Sequence, residues 1–341
     1  MRIGIDGRKV GDFGIGTYIR GLLSALVALQ GEERYVVFAP RSARKLLPAG
    51  VELVEFDAPH YSLREVLALG RAIDRADLDL FHAPHYVVPA TRVPVVVTIH
   101  DLIHLHVRHR NPLALVYART MLRRAVRKSR RVLTVSEAVQ RDLIAELGCL
   151  PEQIVVAPNG IDARFTPDGP RPRRPPYFLY AGNDKPHKNV DTLLEAFAAV
   201  RRERSGTGLV LAGAAFERFA NRDGVERAGF VPDEELASLY RGALALVLPS
   251  DEEGFGLPAA EAMASGTAVI TSRNPALVEV TGDAALHADG RDAAALAAAM
   301  LRIANDDALR AALGSLGIER ARRFTWKRCA EITRAAYLAA V

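Results

Sequence analysis

Short apolar runs alternate with longer amphipathic stretches along most of the chain. The first half contains apolar runs such as "YVVFA" and "VPVVVTI". It also contains longer segments with apolar residues at helical spacing, such as "GTYIRGLLSALVAL". Runs that are apolar throughout are typical of strands buried on both faces, and regular alternation of strand and helix is typical of a parallel sheet covered by helices. We therefore predict a doubly wound, Rossmann-like α/β domain over residues 1–164.

A stretch rich in proline, glycine and arginine, "FTPDGPRPRRPP" at residues 165–176, interrupts this pattern and predicts a linker. The alternation resumes from "YFLYAG" to "DAAALAAAMLRIAND" and predicts a second Rossmann-like domain over residues 177–322. Such sheets bind ligands beyond the carboxyl ends of their strands, so two domains that face each other would form one deep cleft. The last segment, residues 323–341, predicts a further amphipathic helix.

Composition and charge narrow the function only slightly. The chain has 341 residues, of which 49% are hydrophobic and 25% charged, as in ordinary globular proteins with two cores. A net charge of +5 is compatible with nucleic acid, anionic lipid or phosphorylated substrates. The start of the chain lacks the apolar core of a signal peptide, and no window resembles a membrane span, so we expect a cytoplasmic protein. Two distant cysteines predict neither a disulfide nor a zinc site.

The segment "PSDEEGFGLPAAEAMASG", residues 249–266, carries the most informative motif. It follows an apolar run that predicts a buried strand, and its second half predicts a helix with Pro258 at the first position. Glu253 would then lie on the loop and Glu261 about one turn into the helix. Glycines let the backbone approach a ligand closely, and free N–H groups at residues 256–259 would favour an anion. The motif predicts a site for a phosphorylated sugar or a nucleotide.

Several motifs, in order along the chain, together resemble those of glycosyltransferase family 4. They are "FGIGTY", "TIHD", "TVSE", "PNGID", "YAGNDKPHKN", "AGFVPDEEL" and "EGFGLPAAEAMASG". The most specific piece is the pair of glutamates separated by seven residues. The resemblance implies a retaining enzyme of the two-domain GT-B fold that works without a metal cofactor. In that fold the C-terminal domain holds a nucleotide sugar, the N-terminal domain receives the acceptor, and a C-terminal helix crosses back to the first domain.

The resemblance implies a role for individual residues of the second domain. Glu261 would accept hydrogen bonds from the ribose hydroxyls, and Glu253 would act in catalysis beside the donor sugar ring. Lys188 matches a lysine that binds the diphosphate. The full set of expected donor-binding residues is Asn183, Lys188, Phe230, Val231, Phe255, Gly256, Leu257, Pro258 and Glu261. The family contacts the base through backbone groups near Phe230, which leaves the identity of the base open.

Alternatives remain open for most of these residues. Glu261 could merely complement a helix dipole, Glu253 and Lys188 could be solvated loop charges, and Phe255 could be a core residue. Asn183 departs from the pattern, since relatives often have an arginine there. Either Lys185 or His187 would then supply the missing charge, or backbone amides would take a larger share.

In the first domain, Gly14 and Gly16 imitate a dinucleotide fingerprint but lack its third glycine and its distance from a strand. In the family this loop borders the acceptor and the donor phosphate. His100 follows the strand "VPVVVTI" and matches the family's active-site histidine, which contacts the donor sugar. His82 and His85 would line the acceptor side, with ordinary packing as an equal alternative.

Residues 117–131 carry seven cationic side chains. They predict either a solvated basic face or a helix that docks on anionic headgroups at the inner face of the membrane, which would suit a lipid-linked acceptor. We expect no nucleic-acid partner, because no recognisable module or set of stacking aromatics is present. A metal held by His100, His104, His106 and His109 is not expected, because no carboxylate or cysteine joins them at ligand spacing.

The function that we expect is transfer of a hexose from a nucleotide sugar to a lipid-linked or oligosaccharide acceptor in polysaccharide or glycolipid assembly. The segments "TIHDL" and "FHAPHYVVP" resemble bacterial mannosyltransferases, so GDP-mannose is the leading donor. A UDP-sugar such as UDP-glucose is the nearest alternative. A sugar-nucleotide epimerase and a non-catalytic nucleotide-sugar-binding subunit are the other two.

Overall fold

The computed structural model describes residues 1–57, 63–106, 112–172, 174–214, 216–219 and 222–341. Within them the chain divides into two compact units. The first contains Met1–Gly160 and Thr325–Val341, and the second contains Ile161–Phe324. The boundary lies between Gly160 and Ile161, earlier than the end at residue 164 that the sequence predicts. The segment predicted as a linker belongs to the second unit.

Contacts with Arg241 and Tyr240 explain why the proline-rich segment belongs to the second unit. The Arg241 guanidinium donates hydrogen bonds to the carbonyl oxygens of Pro170, at 2.9 Å, and Thr166, at 3.3 Å. Phe165 is buried and packs edge-on against Tyr240, with 5.7 Å between the ring centroids. A proline-rich composition predicts the absence of regular structure, but it does not exclude tertiary contacts of this kind.

The first unit is built on one parallel sheet covered by helices. Its strands are β1 (Arg2–Asp6), β2 (Arg34–Ala39), β3 (Glu52–Glu55), β4 (Leu80–Ala83), β5 (Val95–Ile99), β6 (Arg131–Thr134) and β7 (Ile154–Val156). Its helices include α1 (Ile15–Ala28), α2 (Leu63–Asp74), α3 (Ile103–His106), α4 (Pro112–Lys128) and α5 (Glu137–Leu147). The strand order is β3-β2-β1-β4-β5-β6-β7, so the chain reverses its direction of winding between β1 and β4. Strands β4 and β5 are buried throughout, including the polar side chains of His82 and Thr98.

The second unit repeats the same architecture. Its strands are β8 (Tyr177–Asn183), β9 (Gly208–Ala214), β10 (Val225–Gly229), β11 (Ala245–Leu248), β12 (Ala268–Thr271) and β13 (Ala285–His287). Its helices are α6 (Val190–Glu203), α7 (Asp233–Gly242), α8 (Leu257–Ala264), α9 (Pro275–Thr281), α10 (Ala293–Asn305) and α11 (Asp307–Ala321). The order β10-β9-β8-β11-β12-β13, with all pairs parallel, places the reversal of winding between β8 and β11.

The last helix, α12 (Trp326–Leu338), packs in the first unit, as predicted. Thr325 caps it by accepting a hydrogen bond from the backbone N–H of Arg328 at 3.2 Å. The Trp326 ring lies so close to Gly21 of α1 that a β-carbon there would come within 2.1 Å of it. In the part of the chain that the structure describes, no helix is both long enough and apolar enough to cross a bilayer.

Candidate functional site

Two loops meet beyond the carboxyl ends of β8 and β11, where the second sheet reverses its winding and where such sheets bind ligands. Hydrogen bonds from the Asn189 side chain to the Pro249 carbonyl, at 3.0 Å, and from the Asp251 N–H to the His187 carbonyl, at 2.8 Å, join the loops. This arrangement brings two of the predicted residues together. The Lys188 ammonium lies 2.6 Å from Glu253 Oε1, and the two side chains are only 15% and 12% exposed.

The glycine loop leads into α8 as expected, with two differences. Gly256 precedes the helix at a φ of 83°, and a β-carbon on it would come within 2.3 Å of Leu277 Cδ2, so both conformation and space require glycine. The helix begins at Leu257, which makes Pro258 its second residue rather than its first. The Ala259 N–H donates to the Gly256 carbonyl at 2.9 Å and is therefore not free. Among the described residues, the N–H groups of Gly256 and Leu257 have no backbone acceptor outside the helix and are left for an anion.

Glu261 is the fifth residue of α8 and lies half-buried beside α7. Protein atoms surround its carboxyl group, and this burial raises its pKa to about 8, although a hydrogen bond from the Tyr240 hydroxyl, at 3.1 Å, lowers it. The carboxyl group is therefore mostly protonated at neutral pH in the ligand-free protein. Because Glu261 lies beyond the first turn of α8, its position does not favour the helix-dipole alternative, whose effect falls off within that turn. The sequence did not reveal Tyr240, whose position in an amphipathic helix is typical of a core residue.

Two other expected donor-binding positions differ from each other in exposure. The Phe255 side chain is 4% exposed and packs edge-on against Phe324, with 5.3 Å between ring centroids. A donor contact by this side chain is thereby contradicted, and the alternative of a core residue is correct. Phe230, by contrast, is 70% exposed at the end of β10, followed by the half-buried Val231.

The departure at Asn183 is not compensated by His187. Asn183 ends β8 half-buried, and its side-chain Oδ1 has no hydrogen-bond partner among the described residues. His187 is buried, and burial together with the neighbouring Lys188 lowers its pKa to about 4. It is therefore uncharged at neutral pH, which contradicts the suggestion that it supplies the missing cation. Lys185 is exposed in the same loop.

In the first unit, His100 lies immediately after β5. Its Nε2 is 3.1 Å from the Pro84 carbonyl oxygen, and its ring meets the edge of Tyr18 with 4.7 Å between centroids. Burial lowers the pKa of His100 to about 4, so the imidazole is neutral. Since a carbonyl can only accept, the ring proton is assigned to Nε2, and Nδ1 is an acceptor.

His82 has a structural role. It lies on β4, is fully buried, and both ring nitrogens are engaged at 2.7 Å, Nδ1 with the Tyr337 hydroxyl and Nε2 with the Thr98 hydroxyl. The expectation that its side chain lines the acceptor side is contradicted, because no ring nitrogen remains for a ligand. The alternative of ordinary packing is correct here.

His85 is likewise committed to the protein. Its Nε2 lies 3.1 Å from Asp6 Oδ2, and its Nδ1 accepts the Val87 N–H at 3.2 Å. Asp6 is fully buried and also receives two hydrogen bonds from Arg8, at 2.9 and 2.6 Å. Although burial by itself would raise the pKa of Asp6, these partners hold it far below its usual range. The acceptor-side expectation for His85 is therefore contradicted as well.

Gly14 and Gly16 lie at the start of α1, the first just before the helix and the second inside it, and both have backbone roles. Gly14 precedes the helix at a φ of 62°, which favours glycine, although a β-carbon there would meet no other atom within 4 Å. A β-carbon on Gly16 would come within 2.6 Å of the Val10 carbonyl oxygen, so this glycine allows α1 to pack on the preceding loop. Packing accounts for Gly16, and a phosphate contact by this loop stays a prediction.

The basic helix α4 and the following turn present cations to solvent. Five of the expected seven are exposed: Arg119, Arg123, Arg127, Lys128 and Arg130. The other two, Arg124 and Arg131, donate hydrogen bonds to the backbone carbonyls of Val88 and Glu152. Leu122 and Ala125 bury the opposite face of the helix.

The histidines near α3 do not form a metal-binding group within the described residues. His106 Nε2 lies 2.5 Å from Glu146 Oε1, and His104 packs edge-on against Tyr86 at 5.6 Å between centroids. His109 is outside the described residues. Among the residues that are described, no three His, Cys, Asp or Glu side chains converge as metal ligands do.

Two family models match adjacent parts of this chain. The model of glycosyltransferase family 4 matches residues 14–165, and that of glycosyl transferases group 1 matches residues 163–320. The chain is 31% identical over 280 residues to the O-antigen chain mannosyltransferase B of Escherichia coli, which covers 76% of this chain and 74% of that protein.

Solved structures show the same fold at lower identity. Sucrose-phosphate synthase from Thermosynechococcus elongatus has a TM-score of 0.81 at 21% identity and covers 99% of this chain and 98% of its own. Anabaena Alr3699/HepE in complex with UDP and glucose has a TM-score of 0.79 at 18% identity and covers both chains fully, at 100%. Two doubly wound units of this kind have the GT-B fold. The family models and the Escherichia coli relative identify the chain as a glycosyltransferase. The chain belongs to glycosyltransferase family 4, as its motifs predicted.

Proposed function

We propose that the protein transfers a hexose, with retention of configuration, from a nucleotide sugar to a lipid-linked or oligosaccharide acceptor. The observation that carries the proposal is the contact of Lys188 with Glu253, on two loops that adjoin the start of α8. A cation, a carboxylate and the amides of Gly256 and Leu257 lie on neighbouring loops at one edge of the sheet. These are the groups that a sugar diphosphate requires: positive charge for the phosphates and an acceptor for the hydroxyls.

Lys188 and the two amides would stabilise the departing diphosphate without a metal ion. In the ligand-free protein Glu253 neutralises Lys188, so the diphosphate exchanges one anionic partner of the ammonium for another. Glu253 is then available to accept hydrogen bonds from the sugar. Glu261 accepts hydrogen bonds from the ribose, and His100 contacts the transferred sugar.

The reaction itself needs no protein nucleophile in this proposal. The bond between the anomeric carbon and the phosphate oxygen breaks, and the acceptor oxygen bonds to the same face of that carbon. The proton of the acceptor hydroxyl passes to the departing phosphate. The contribution of the protein is then positioning and electrostatic stabilisation.

GDP-mannose is our leading donor, because the Escherichia coli relative is a mannosyltransferase of O-antigen chains. This relative also supports an acceptor in polysaccharide assembly. UDP-glucose is the second candidate, because the HepE structure contains UDP and glucose. The exposed Phe230 and its neighbour Val231 would lie at the base in either case.

We further propose that α4 docks on anionic lipid at the inner face of the membrane. Arg119, Arg123 and Arg127 follow one another at helical spacing, and the exposed Val116 lies one turn before them. Each basic residue near such a surface contributes about 1 kcal/mol of attraction. Sedimentation with vesicles should show binding that requires anionic lipid and is lost when the three arginines are changed to glutamate. Equal binding to neutral vesicles would contradict an electrostatic mode.

Calorimetry with GDP, UDP, ADP and their sugars, in the presence of EDTA, tests the donor proposal. We expect GDP-mannose to bind and Lys188→Ala to weaken nucleoside diphosphate binding at least tenfold. Lys185→Ala removes the exposed lysine of the same loop, and a loss of affinity as large as that of Lys188→Ala would assign the missing charge to Lys185 as well. Equal affinities of wild type and Lys188→Ala would exclude the proposed phosphate contact.

Product analysis then separates the enzyme from its alternatives. Slow hydrolysis of the bound donor without an acceptor is expected of a transferase. Isomerisation of the donor sugar would instead identify an epimerase, and binding without any turnover would identify a non-catalytic subunit.

A further inference from the structure

A chain of buried polar side chains connects α12 with the neighbourhood of His100. The Tyr337 hydroxyl contacts His82 Nδ1 at 2.7 Å, and His82 Nε2 contacts the Thr98 hydroxyl at 2.7 Å. Thr98 in turn contacts the Tyr18 hydroxyl at 2.9 Å. Each of these four residues is at most 1% exposed to solvent. The chain therefore joins α12, β4, β5 and α1 through hydrogen bonds that water does not weaken.

The end of this chain touches His100 through Tyr18. Thr98 and His100 are two residues apart at the end of β5, so their side chains lie on the same side of the strand. Tyr18 spans both: its hydroxyl bonds to Thr98, and the edge of its ring packs on the His100 imidazole at 4.7 Å between centroids. A shift of Tyr18 would therefore move the surface against which the His100 ring rests.

The hydrogen bonds between Tyr337 and Tyr18 all run in one direction because His82 is neutral. Burial lowers the pKa of His82 to about 3, so its imidazole carries one proton and has one donor and one acceptor nitrogen. Whichever nitrogen donates, the hydroxyls on the two sides must orient in the same sense. Loss of one hydroxyl then affects the hydrogen bonds beyond it, as far as Tyr18.

We propose that Tyr337, His82 and Thr98 are positioning residues that hold Tyr18, and through it the imidazole of His100, in the orientation needed for sugar transfer. In this proposal α12 acts on His100 through these hydrogen bonds rather than by contact with a ligand. The part that concerns transfer rests on the function proposed above. The part that concerns the orientation of His100 does not.

Substitutions at Thr98 break the chain at its centre. Thr98→Val keeps the shape of the side chain and removes both hydrogen bonds, whereas Thr98→Ser keeps the hydroxyl. Tyr337→Phe removes the bond at the α12 end. Tyr35→Phe is the matched control, because the Tyr35 hydroxyl is buried but has no hydrogen-bond partner among the described residues.

Two measurements are made on each folded variant. The first is the position of the histidine ring signals in ¹H–¹⁵N spectra, with His100 identified by its own substitution. The second is the steady-state rate of sugar transfer. We expect Thr98→Val and Tyr337→Phe to shift the His100 signals and to lower kcat at least tenfold, with the donor KM changed less than twofold. Thr98→Ser should restore kcat to within about threefold, and Tyr35→Phe should change neither quantity.

The outcomes separate the two proposals. If Thr98→Val leaves the His100 signals and kcat as in the wild type, the positioning role is wrong. A fall in kcat without a shift of His100 would also overturn it. If the wild type transfers no sugar, the proposed function fails, while the spectra still decide whether the chain orients His100.

Discussion

Replacement of Glu261 by glutamine should change how stability depends on pH. In the folded protein the pKa of Glu261 rises from 4.5 to about 8 through burial, whereas in the unfolded chain it has its ordinary value. The folded state therefore keeps a proton that the unfolded state loses between these pH values. Stability is highest below the unfolded pKa and decreases as the pH rises to about 8. At about 1.4 kcal/mol per unit, the full rise corresponds to an upper limit of about 5 kcal/mol.

Urea unfolding of the wild type and of Glu261→Gln across this pH range measures the effect. Because all other titrating groups are shared, their contributions cancel in the difference between the two free energies of unfolding. We expect that difference to grow in favour of the variant by as much as about 1.4 kcal/mol per pH unit between about pH 5 and pH 8. Glu203→Gln, at an exposed position, is the matched control. A flat difference for Glu261→Gln would show that Glu261 ionises normally and would refute the reasoning.

The raised pKa of Glu261 also predicts how ribonucleotide binding depends on pH. Ribose hydroxyls that donate to Glu261 favour its ionised form, so binding should release protons near neutral pH. The affinity for ribonucleotides should therefore increase as the pH rises towards about 8, and it should do so less for Glu261→Gln. Calorimetry in buffers of different ionisation enthalpy measures the number of protons released. Uptake of protons instead would mean that Glu261 binds in its neutral form.

Three further substitutions test the two units separately. Asp6→Asn leaves buried basic partners without their carboxylate and should lower the free energy of unfolding by about 3–5 kcal/mol, measured with urea. Gly256→Ala forces a β-carbon towards Leu277 at a positive φ and should cost about 1–3 kcal/mol, so an unchanged melting temperature would contradict the geometry. Glu253→Gln releases Lys188 and should tighten nucleoside diphosphate binding while slowing transfer, whereas weaker binding would show that the ion pair organises the site.

The sequence predicted correctly the helices that bury one apolar stripe and the strands that are buried on both faces. Continuous apolar runs such as that of β5 and the amphipathic α10 were recognised because their periodicity reports directly on burial. Helix α11 was not predicted. Its Gly314 and Gly317 allow close packing, since a β-carbon on them would come within 2.5 Å of the Gly266 carbonyl oxygen and 3.2 Å of the Met263 Cα. Glycines lower helical propensity, so a helix that packs backbone against backbone lacks a clear sequence signal.

The candidate site was predictable to the extent that it depends on position along strands. Lys188 and Glu253 follow two strands that became neighbours at the reversal of winding, and their contact is a consequence of that topology. Which side chains form hydrogen bonds within the protein was not predictable in the same way. His82 and His85 have the residue type and the location of ligand-binding groups, but their partners Tyr337 and Asp6 are distant in sequence. Whether a histidine is available to a ligand depends on such tertiary partners.

The structure changes the interpretation of the site most in the number of cations that the loop after β8 supplies. The loop after β8 contains Lys185, His187 and Lys188, which from sequence alone amount to as many as three cations. Burial leaves His187 neutral, Lys185 is exposed, and Asn183 carries no charge. Lys188 is therefore the cation of this loop that lies against Glu253, and in the proposed function the backbone amides supply the remaining stabilisation of a diphosphate. Because Lys188 is then the one cation of this loop that lies against Glu253, nucleoside diphosphate affinity should depend steeply on Lys188.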